Sequence, residues 1–166
     1  MNEGVILADK KLGSVLAALA LALVATASAS ALSRPEVISL LVLAPGESTS
    51  IPPFSEDAVP PVGARVFFRN SLYKWAGTRR GERVGRLEGT CTITGHDKRS
   101  VSAYCTEEAS LPAGQILAAG FIRFTESGIF DLPVIGGTGR YGNARGWLRI
   151  KDLPTGNTSF VFHLIP

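Results

Sequence analysis

Apolar and polar residues alternate with a period of two through much of the second half of the chain. The alternation is clearest in residues 83–94 and 100–111, where apolar or small side chains occupy one face and Thr, Ser, Tyr and Glu the other. This pattern is typical of strands that have one face toward a core and one toward water. We therefore predict an antiparallel strand in each segment.

Turn residues divide the chain after residue 34 into eight short predicted strands, and no helical period is found there. The strands are predicted at residues 37–43, 65–73, 83–94, 100–111, 115–124, 129–135, 142–151 and 159–164. Eight strands joined mostly by hairpin turns predict an all-β fold, either an up-and-down barrel or a sandwich. An eight-stranded barrel has a lumen that side chains fill or that holds one small ligand.

The longest connection, residues 44–63, is polar and rich in proline. Connections of this length in a compact domain are usually functional or poorly ordered. Two interpretations stay open, a lid over the mouth of a barrel and a disordered connection.

The N-terminus carries a targeting pattern. Lys10 and Lys11 precede an apolar run over residues 12–25, and small residues follow to residue 31. This arrangement predicts a secretory signal peptide over residues 1–31, with an uncleaved anchor as the alternative. The run is short for a membrane span. We expect a secreted domain of residues 32–166 with no stable membrane span after cleavage.

The charge distribution and the possible metal ligands add little to the functional prediction. The net charge is +3, and the nearest approach to a basic cluster, Arg79 to Arg86, includes Gly81 and Glu82. Basic residues in this arrangement do not indicate a nucleic-acid-binding surface. His96 and His163 lie far from any metal-ligand spacing, so no metal or cofactor is expected.

Cys91 and Cys105 are the two cysteines. In the predicted hairpin they lie opposite each other on the apolar face, close enough to bridge. An exported protein meets an oxidising compartment, so we predict a Cys91–Cys105 disulfide.

A glycine-rich stretch over residues 136–142 contains the pattern G-x-G-x-x-G, which also occurs in dinucleotide-binding folds. Those folds need a helix after the glycines to hold the pyrophosphate. Here a strand-like alternation follows instead, from Trp147 to Ile150. We therefore predict a tight hairpin and no dinucleotide site.

The same region carries a family resemblance. Residues 131–139, Asp-Leu-Pro-Val-Ile-Gly-Gly-Thr-Gly, followed by Ala-Arg-Gly at 144–146, resemble the motif of the dirigent proteins and related allene oxide cyclase barrels. Residues 83–89 and 113–120 resemble two further strands of that family, in the same order. The resemblance covers residues 62–166 and is closest to bacterial members with two strand cysteines. It implies a barrel that binds a small hydrophobic or aromatic molecule and steers its cyclisation or stereoselective coupling without a cofactor.

Two carboxylates are candidate catalytic residues. Glu107 lies two positions from both Cys105 and Ala109, and therefore on the same face of the predicted strand. It is predicted to point into the lumen, unless a bulge or strand end turns it outward. Asp131 matches the acidic residue of the family motif, which the resemblance places at the binding cavity. A carboxylate at an interface or a hairpin cap is the alternative for Asp131. Either group could transfer a proton or orient a ligand.

Gly142 and Arg145 are candidate ligand-binding residues by resemblance. The family often has Arg or a bulky residue at the position of Gly142, so glycine there implies a larger cavity. Arg145 matches the family's Ala-Arg-Gly. The alternation of the predicted strand, however, places Arg145 on the face opposite the small residues Gly142, Ala144 and Gly146. A structural role is therefore the alternative for Arg145.

The predicted strands at 129–135 and 159–164 are apolar on both faces. The outer face of such strands needs a cover, and another subunit is the cover we expect. The resemblance implies a homotrimer. A non-catalytic secreted barrel, acting as a binding or structural module, remains the second functional hypothesis.

Overall fold

The computed structural model of the protein describes residues 34–55, 58–97, 99–125 and 128–165. The predicted signal peptide, residues 1–31, lies outside the described residues. Within those ranges, no helix combines the length and hydropathy that a membrane crossing requires.

The described residues form nine strands and one short 3₁₀ helix. The elements are β1 (Glu36–Val42), β2 (Glu47–Ile51), β3 (Arg65–Trp75), β4 (Arg80–His96), β5 (Val101–Leu111), β6 (Gly114–Phe124), β7 (Ile129–Gly137), η1 (Gly139–Tyr141), β8 (Arg145–Asp152) and β9 (Thr158–Ile165). The sheet runs in the order β1-β9-β8-β7-β6-β5-β4-β3-β2, and β1 also pairs with β3. All strand pairs are antiparallel. The β1–β3 pairing closes an eight-stranded barrel with one additional strand, which confirms the predicted fold.

The additional strand β2 continues the course of β1 along the same edge of β3. Val42 at the end of β1 lies opposite Leu72, and Glu47 at the start of β2 lies opposite Arg69. Residues 43–46 leave the sheet between these pairs, and the Ala44 amide donates to Asn157 Oδ1 at 3.1 Å. The barrel wall is therefore interrupted beside the middle of β3.

The prediction that residues 44–63 form one loop is wrong at β2. The sequence Glu-Ser-Thr-Ser-Ile has no apolar alternation, and four of its five residues are exposed. Its strand conformation comes from backbone pairing with β3 rather than from burial of side chains. Two described residues further along the connection also contact the barrel: Phe54 packs against the core, and the Gly63 amide donates to Ile93 O at 2.8 Å. This contact favours a cover over one barrel end.

Alternate residues of the strands fill the inside of the barrel with apolar side chains. The inner side chains that are almost completely buried include Leu40, Leu72, Leu87, Ile116, Leu132, Leu148, Phe162 and Leu164. Complete burial of one such side chain contributes roughly 1.5–3 kcal/mol. The interior of the barrel is therefore a packed core over much of its length.

The disulfide lies on the inner face of the β4–β5 pair. Cys91 is directly opposite Cys105, their sulfur atoms are bonded, and their Cα atoms are 4.1 Å apart. Both residues are buried. The structure confirms the pairing predicted from the alternation.

The glycine-rich stretch is not a tight hairpin, so that prediction is wrong. β7 ends at Gly137, the 3₁₀ helix follows, and β8 begins only at Arg145. The Thr138 and Arg140 amides donate to Gln115 O and Ala113 O, both at 2.9 Å, so the segment folds back over the β5–β6 turn. Gly139 has φ +57°, and a Cβ there would lie 2.5 Å from Ala113 O. The close approach of two backbones therefore explains this glycine. No dinucleotide-type helix follows the glycines.

We predict that loss of the disulfide destabilises the barrel without changing its fold. The cross-link joins residues 14 positions apart, and a loop of that length is worth roughly 3 kcal/mol in the chain-entropy model. Urea denaturation should show that loss for the double variant Cys91→Ser/Cys105→Ser. Reductant should shift the wild-type midpoint similarly and leave the double variant unchanged. An identical midpoint for wild type and double variant would contradict the prediction.

Candidate functional site

Glu107 lies inside the barrel. It is 7% exposed and occupies the inner face of β5 between Cys105 and Ala109. Its cross-strand neighbours are small, because Gly89 of β4 lies opposite it on one side and Ala118 of β6 on the other. The structure thus places this carboxyl group where the alternation predicts it, in an apolar surrounding.

The Glu107 carboxyl group is not compensated by a polar neighbour. Its Oε2 atom is buried and has no hydrogen-bond partner among the described residues. Burial raises the pKa of Glu107 to about 8, because the apolar surrounding disfavours the charged form. Glu107 is therefore mostly a neutral carboxylic acid at pH 7. In that state it can donate a hydrogen bond or a proton to a molecule beside it.

One aromatic ring beside this group was not predicted from the sequence. Phe68 of β3 lies opposite Gly89, and a Cβ built on Gly89 would be 2.3 Å from Phe68 Cζ. The Cζ and Cε2 atoms of the ring therefore lie over the glycine, on the same inner surface as Glu107. The signal in the sequence is the glycine at an inner position of an alternating strand, which often marks a close approach.

Asp131 lies on the opposite side of the wall from the lumen. Its carboxylate is about half exposed and accepts two hydrogen bonds from Arg149 of β8, from Nε at 2.8 Å and from Nη2 at 2.7 Å. The hydrogen bonds from Arg149 hold the pKa of Asp131 below its ordinary value. The structure therefore does not bring Asp131 together with Glu107. The alternative role, a surface or interface carboxylate, agrees better with this position.

The two predicted ligand-binding residues lie near one end of the barrel. Gly142 follows η1 and is not part of β8, so the prediction that a strand begins there is wrong. Arg145 is exposed, and its Nη1 donates to Ala144 O at 2.8 Å. Ala144 itself is completely buried, so the small-residue face points inward and Arg145 points outward, as its parity predicts.

A large open trough of about 650 Å³ lies on the outer wall of the barrel. Its side chains come from the outward positions of β2 to β7, among them Thr49, Phe67, Arg69, Glu88, Thr90, Thr106, Glu108, Leu117 and Ile135. Arg69 Nε and Glu88 Oε1 form an ion pair across it at 2.7 Å. Phe68, Gly89, Glu107 and Ala118, at inward positions of the same strands, also line this space, so it reaches the part of the wall that holds the candidate carboxyl group.

The comparisons with known proteins agree with this architecture. The model of the family described as allene oxide cyclase barrel like domain matches residues 70–162, more than half of the chain. No curated protein matches the chain.

Several solved structures have the same fold. A structure named pyocyanin demethylase has 24% identity and a TM-score of 0.63 over 78% of this chain and 100% of its own. The Diels-Alderase AbmU from Streptomyces koyangensis has 22% identity and a TM-score of 0.58 over 81% of this chain and 70% of its own. A pterocarpan synthase dirigent protein has 14% identity and a TM-score of 0.55 over 78% of this chain and 91% of its own. With the family match over most of the barrel, these likenesses lead to one conclusion: the chain belongs to the allene oxide cyclase barrel-like family.

Proposed function

We propose that the barrel binds a small hydrophobic or aromatic molecule beside Glu107 and steers its cyclisation or stereoselective coupling. The observation that carries this proposal is the buried Glu107 carboxyl group, whose Oε2 has no partner among the described residues. An uncompensated buried polar group costs free energy. A bound molecule that accepts a hydrogen bond from Glu107 would remove this cost.

The chemistry needs no cofactor in this proposal. Glu107 supplies a hydrogen bond or a proton to an oxygen or nitrogen on which negative charge develops. The apolar wall excludes water and restricts the bound molecule to few conformations, so orientation supplies much of the acceleration. Asp131 has no part in this step, because its carboxylate faces away from the lumen. Gly142 and Arg145 lie outside the space around Glu107 and would at most influence access from that end.

The names of similar barrels support this class of reaction. Among them are Diels-Alderases, which form rings, and a pterocarpan synthase dirigent protein. Another is named for the demethylation of pyocyanin, an aromatic compound. These names describe those proteins, and the fold alone does not fix the reaction here.

A second candidate function is a secreted barrel without chemistry. The close packing of Leu132, Leu148 and Phe162 inside the barrel favours it, since these side chains are almost completely buried. The two candidates differ in what they require of Glu107. A barrel with a purely structural role has no use for the carboxyl group, whereas ligand binding and the proposed reaction both depend on it.

We also propose that the protein is exported and associates with copies of itself, most simply as a trimer. The Cys91–Cys105 disulfide supports an oxidising compartment. Outward apolar side chains of β1, β7 and β8 support association, since Val37 is 61%, Ile135 53% and Trp147 43% exposed. The number three rests only on the family resemblance.

Stability should fall between about pH 4.5 and pH 8 because of Glu107. The native state holds its proton up to a pKa of about 8, whereas the unfolded chain releases it near the ordinary value of 4.5. The contribution of Glu107 to the free energy of unfolding is therefore complete below the unfolded pKa and is lost as pH rises through the folded pKa. It amounts to at most about 5 kcal/mol. Thermal melts over this range should show wild type losing stability relative to Glu107→Gln. Parallel pH curves would contradict the raised pKa.

Ligand binding should depend on the Glu107 carboxyl group. Pyocyanin is a suitable aromatic probe, and native mass spectrometry of the purified protein would identify any retained molecule. Glu107→Leu, which keeps an apolar side chain of similar size but removes the hydrogen-bonding group, should weaken binding about tenfold, since a lost hydrogen bond of this kind costs about 1–3 kcal/mol. Glu82→Leu is the matched control, because Glu82 is an exposed carboxylate paired with Lys74 on the surface. Equal affinity in wild type and Glu107→Leu would favour the non-catalytic barrel.

Self-association is tested separately. Sedimentation at micromolar concentration should give a mass larger than the monomer, and Trp147→Glu should shift the protein toward monomer by adding charge to the exposed apolar surface. Leu117→Glu, in the outer trough, tests whether a different outer surface is used. A monomeric mass for the wild type would refute the proposal.

A further inference from the structure

The positive charge of the chain is concentrated in the hairpin that β3 and β4 form. Residues 69–88 contain six basic and two acidic residues, a net charge of +4, whereas the whole chain carries +3. The rest of the chain, with 11 basic and 12 acidic residues, therefore has a net charge of −1. Gly81 and Glu82 interrupt the basic residues in the sequence, so the strand pairing determines whether they share a surface.

Two register shifts bring three arginines of β4 onto one face of the hairpin. The directly opposed residues are Ser71 and Arg86, Tyr73 and Arg83, and Trp75 and Arg80. The β3 members of these pairs are two positions apart and share a face, whereas the arginines are three positions apart. In a regular strand, residues three apart lie on opposite faces. Each shift adds one residue to β4 and so keeps the next arginine on the same face as the one before.

The arginine row, defined as Arg80, Arg83 and Arg86, lies on the outer wall of the barrel. Leu72, which alternates with the β3 residues opposite the row, is completely buried, so the row faces outward. All three arginines are exposed. Because their partners in β3 are two residues apart, neighbouring arginines are about 7 Å apart along the strand, and the row spans about 14 Å.

Acidic side chains neutralise little of the arginine row. Among the described residues, Arg80 and Arg83 have no carboxylate partner. Arg86 Nη1 lies 3.5 Å from Glu88 Oε1, but the same oxygen is closer to Arg69, whose Nε is 2.7 Å away. The row therefore keeps most of its positive charge for an anion from outside the chain.

The surroundings of the arginine row indicate what kind of anion it takes. The Tyr73 ring lies under Arg80, whose Cζ is 5.2 Å from the ring centroid, so this ring is not a free platform for a nucleic-acid base. The exposed large apolar side chains of the described chain all lie outside residues 69–88, so the hairpin lacks the apolar groups that anchor a protein in a membrane surface. A straight, hydrated polymer with regularly spaced charges fits such a row better than either of these partners.

We propose that the arginine row binds a linear acidic polysaccharide through the carboxylate groups of its uronic acid units. A guanidinium group binds a carboxylate by two parallel hydrogen bonds, and a row of them favours a chain of carboxylates over a single one. A shallow depression between Arg83, Arg86 and Ser110 is the place for one sugar unit. Glu88 ends the row, because its carboxylate repels an anion. The row lies on the outer wall and Glu107 on the inner face, so this binding goes beyond the proposed reaction and does not require it.

Binding can be measured by calorimetry with a decamer of galacturonic acid and the purified, disulfide-bonded protein at about 0.15 M salt, where distant charges are screened. Arg83→Gln should weaken binding about fivefold, the loss expected for one exposed charged contact. The exchange Glu82→Arg/Arg83→Glu keeps the net charge but moves the arginine to the other face, where Glu82 pairs with Lys74. It should weaken binding more than about tenfold, because it also adds a carboxylate to the row.

Two controls separate the arginine row from net charge. Lys74→Gln removes a charge from the other face of the same hairpin, and Arg99→Gln removes one from the turn between β4 and β5. Both should change the affinity less than about twofold, since neither side chain belongs to the row. All the altered side chains are exposed, so thermal melts should show folded variants.

Three results would overturn the proposal. The first is no binding of the galacturonate decamer by the wild type. The second is wild-type affinity in the exchange variant, which would make net charge rather than the row responsible. The third is a single-stranded DNA decamer that binds as tightly and responds to the same variants, which would make the ligand a nucleic acid.

Discussion

Closure of the sheet between β1 and β3 is the constraint on which the structure depends. Three residue pairs, from Leu40 opposite Lys74 to Val42 opposite Leu72, join the first strand of the sheet to the third. Without them the sheet would be open and its inner face would be accessible to water. With them, the alternate residues of eight strands enclose a space in which a polar group has few possible partners. The unusual state of Glu107 is a direct result of this enclosure.

Glu107 and Asp131 show how strongly position in the same sheet determines chemistry. Both are carboxyl groups on strands of the barrel wall. Asp131 faces water, and its hydrogen bonds from Arg149 keep it ionised. Glu107 faces the lumen without a partner among the described residues, and burial keeps it protonated. Only the second is suited to donate a proton at neutral pH.

Much of the fold follows from local patterns in the sequence. The alternation in β4 and β5 predicts the inner position of Glu107 and the Cys91–Cys105 pair, because side chains of a strand alternate strictly between its faces. Alternation does not place Asp131, since β7 is apolar on both faces and the pattern does not indicate which side is the lumen. Alternation also does not predict β2, because its side chains are polar and its pairing is entirely through the backbone. The position of Phe68 over Gly89 depends on a contact between two strands, which no local pattern contains.

The central claim is that a neutral carboxylic acid stands inside the barrel at physiological pH. It can be measured by carbon-detected NMR titration of protein labelled with ¹³C at the side-chain carboxyl of glutamate, with Glu107→Gln to assign the resonance. The structure predicts that Glu107 titrates near pH 8, far from the ordinary value of 4.5. A Glu107 resonance that titrates near 4.5 with the surface glutamates would contradict the account.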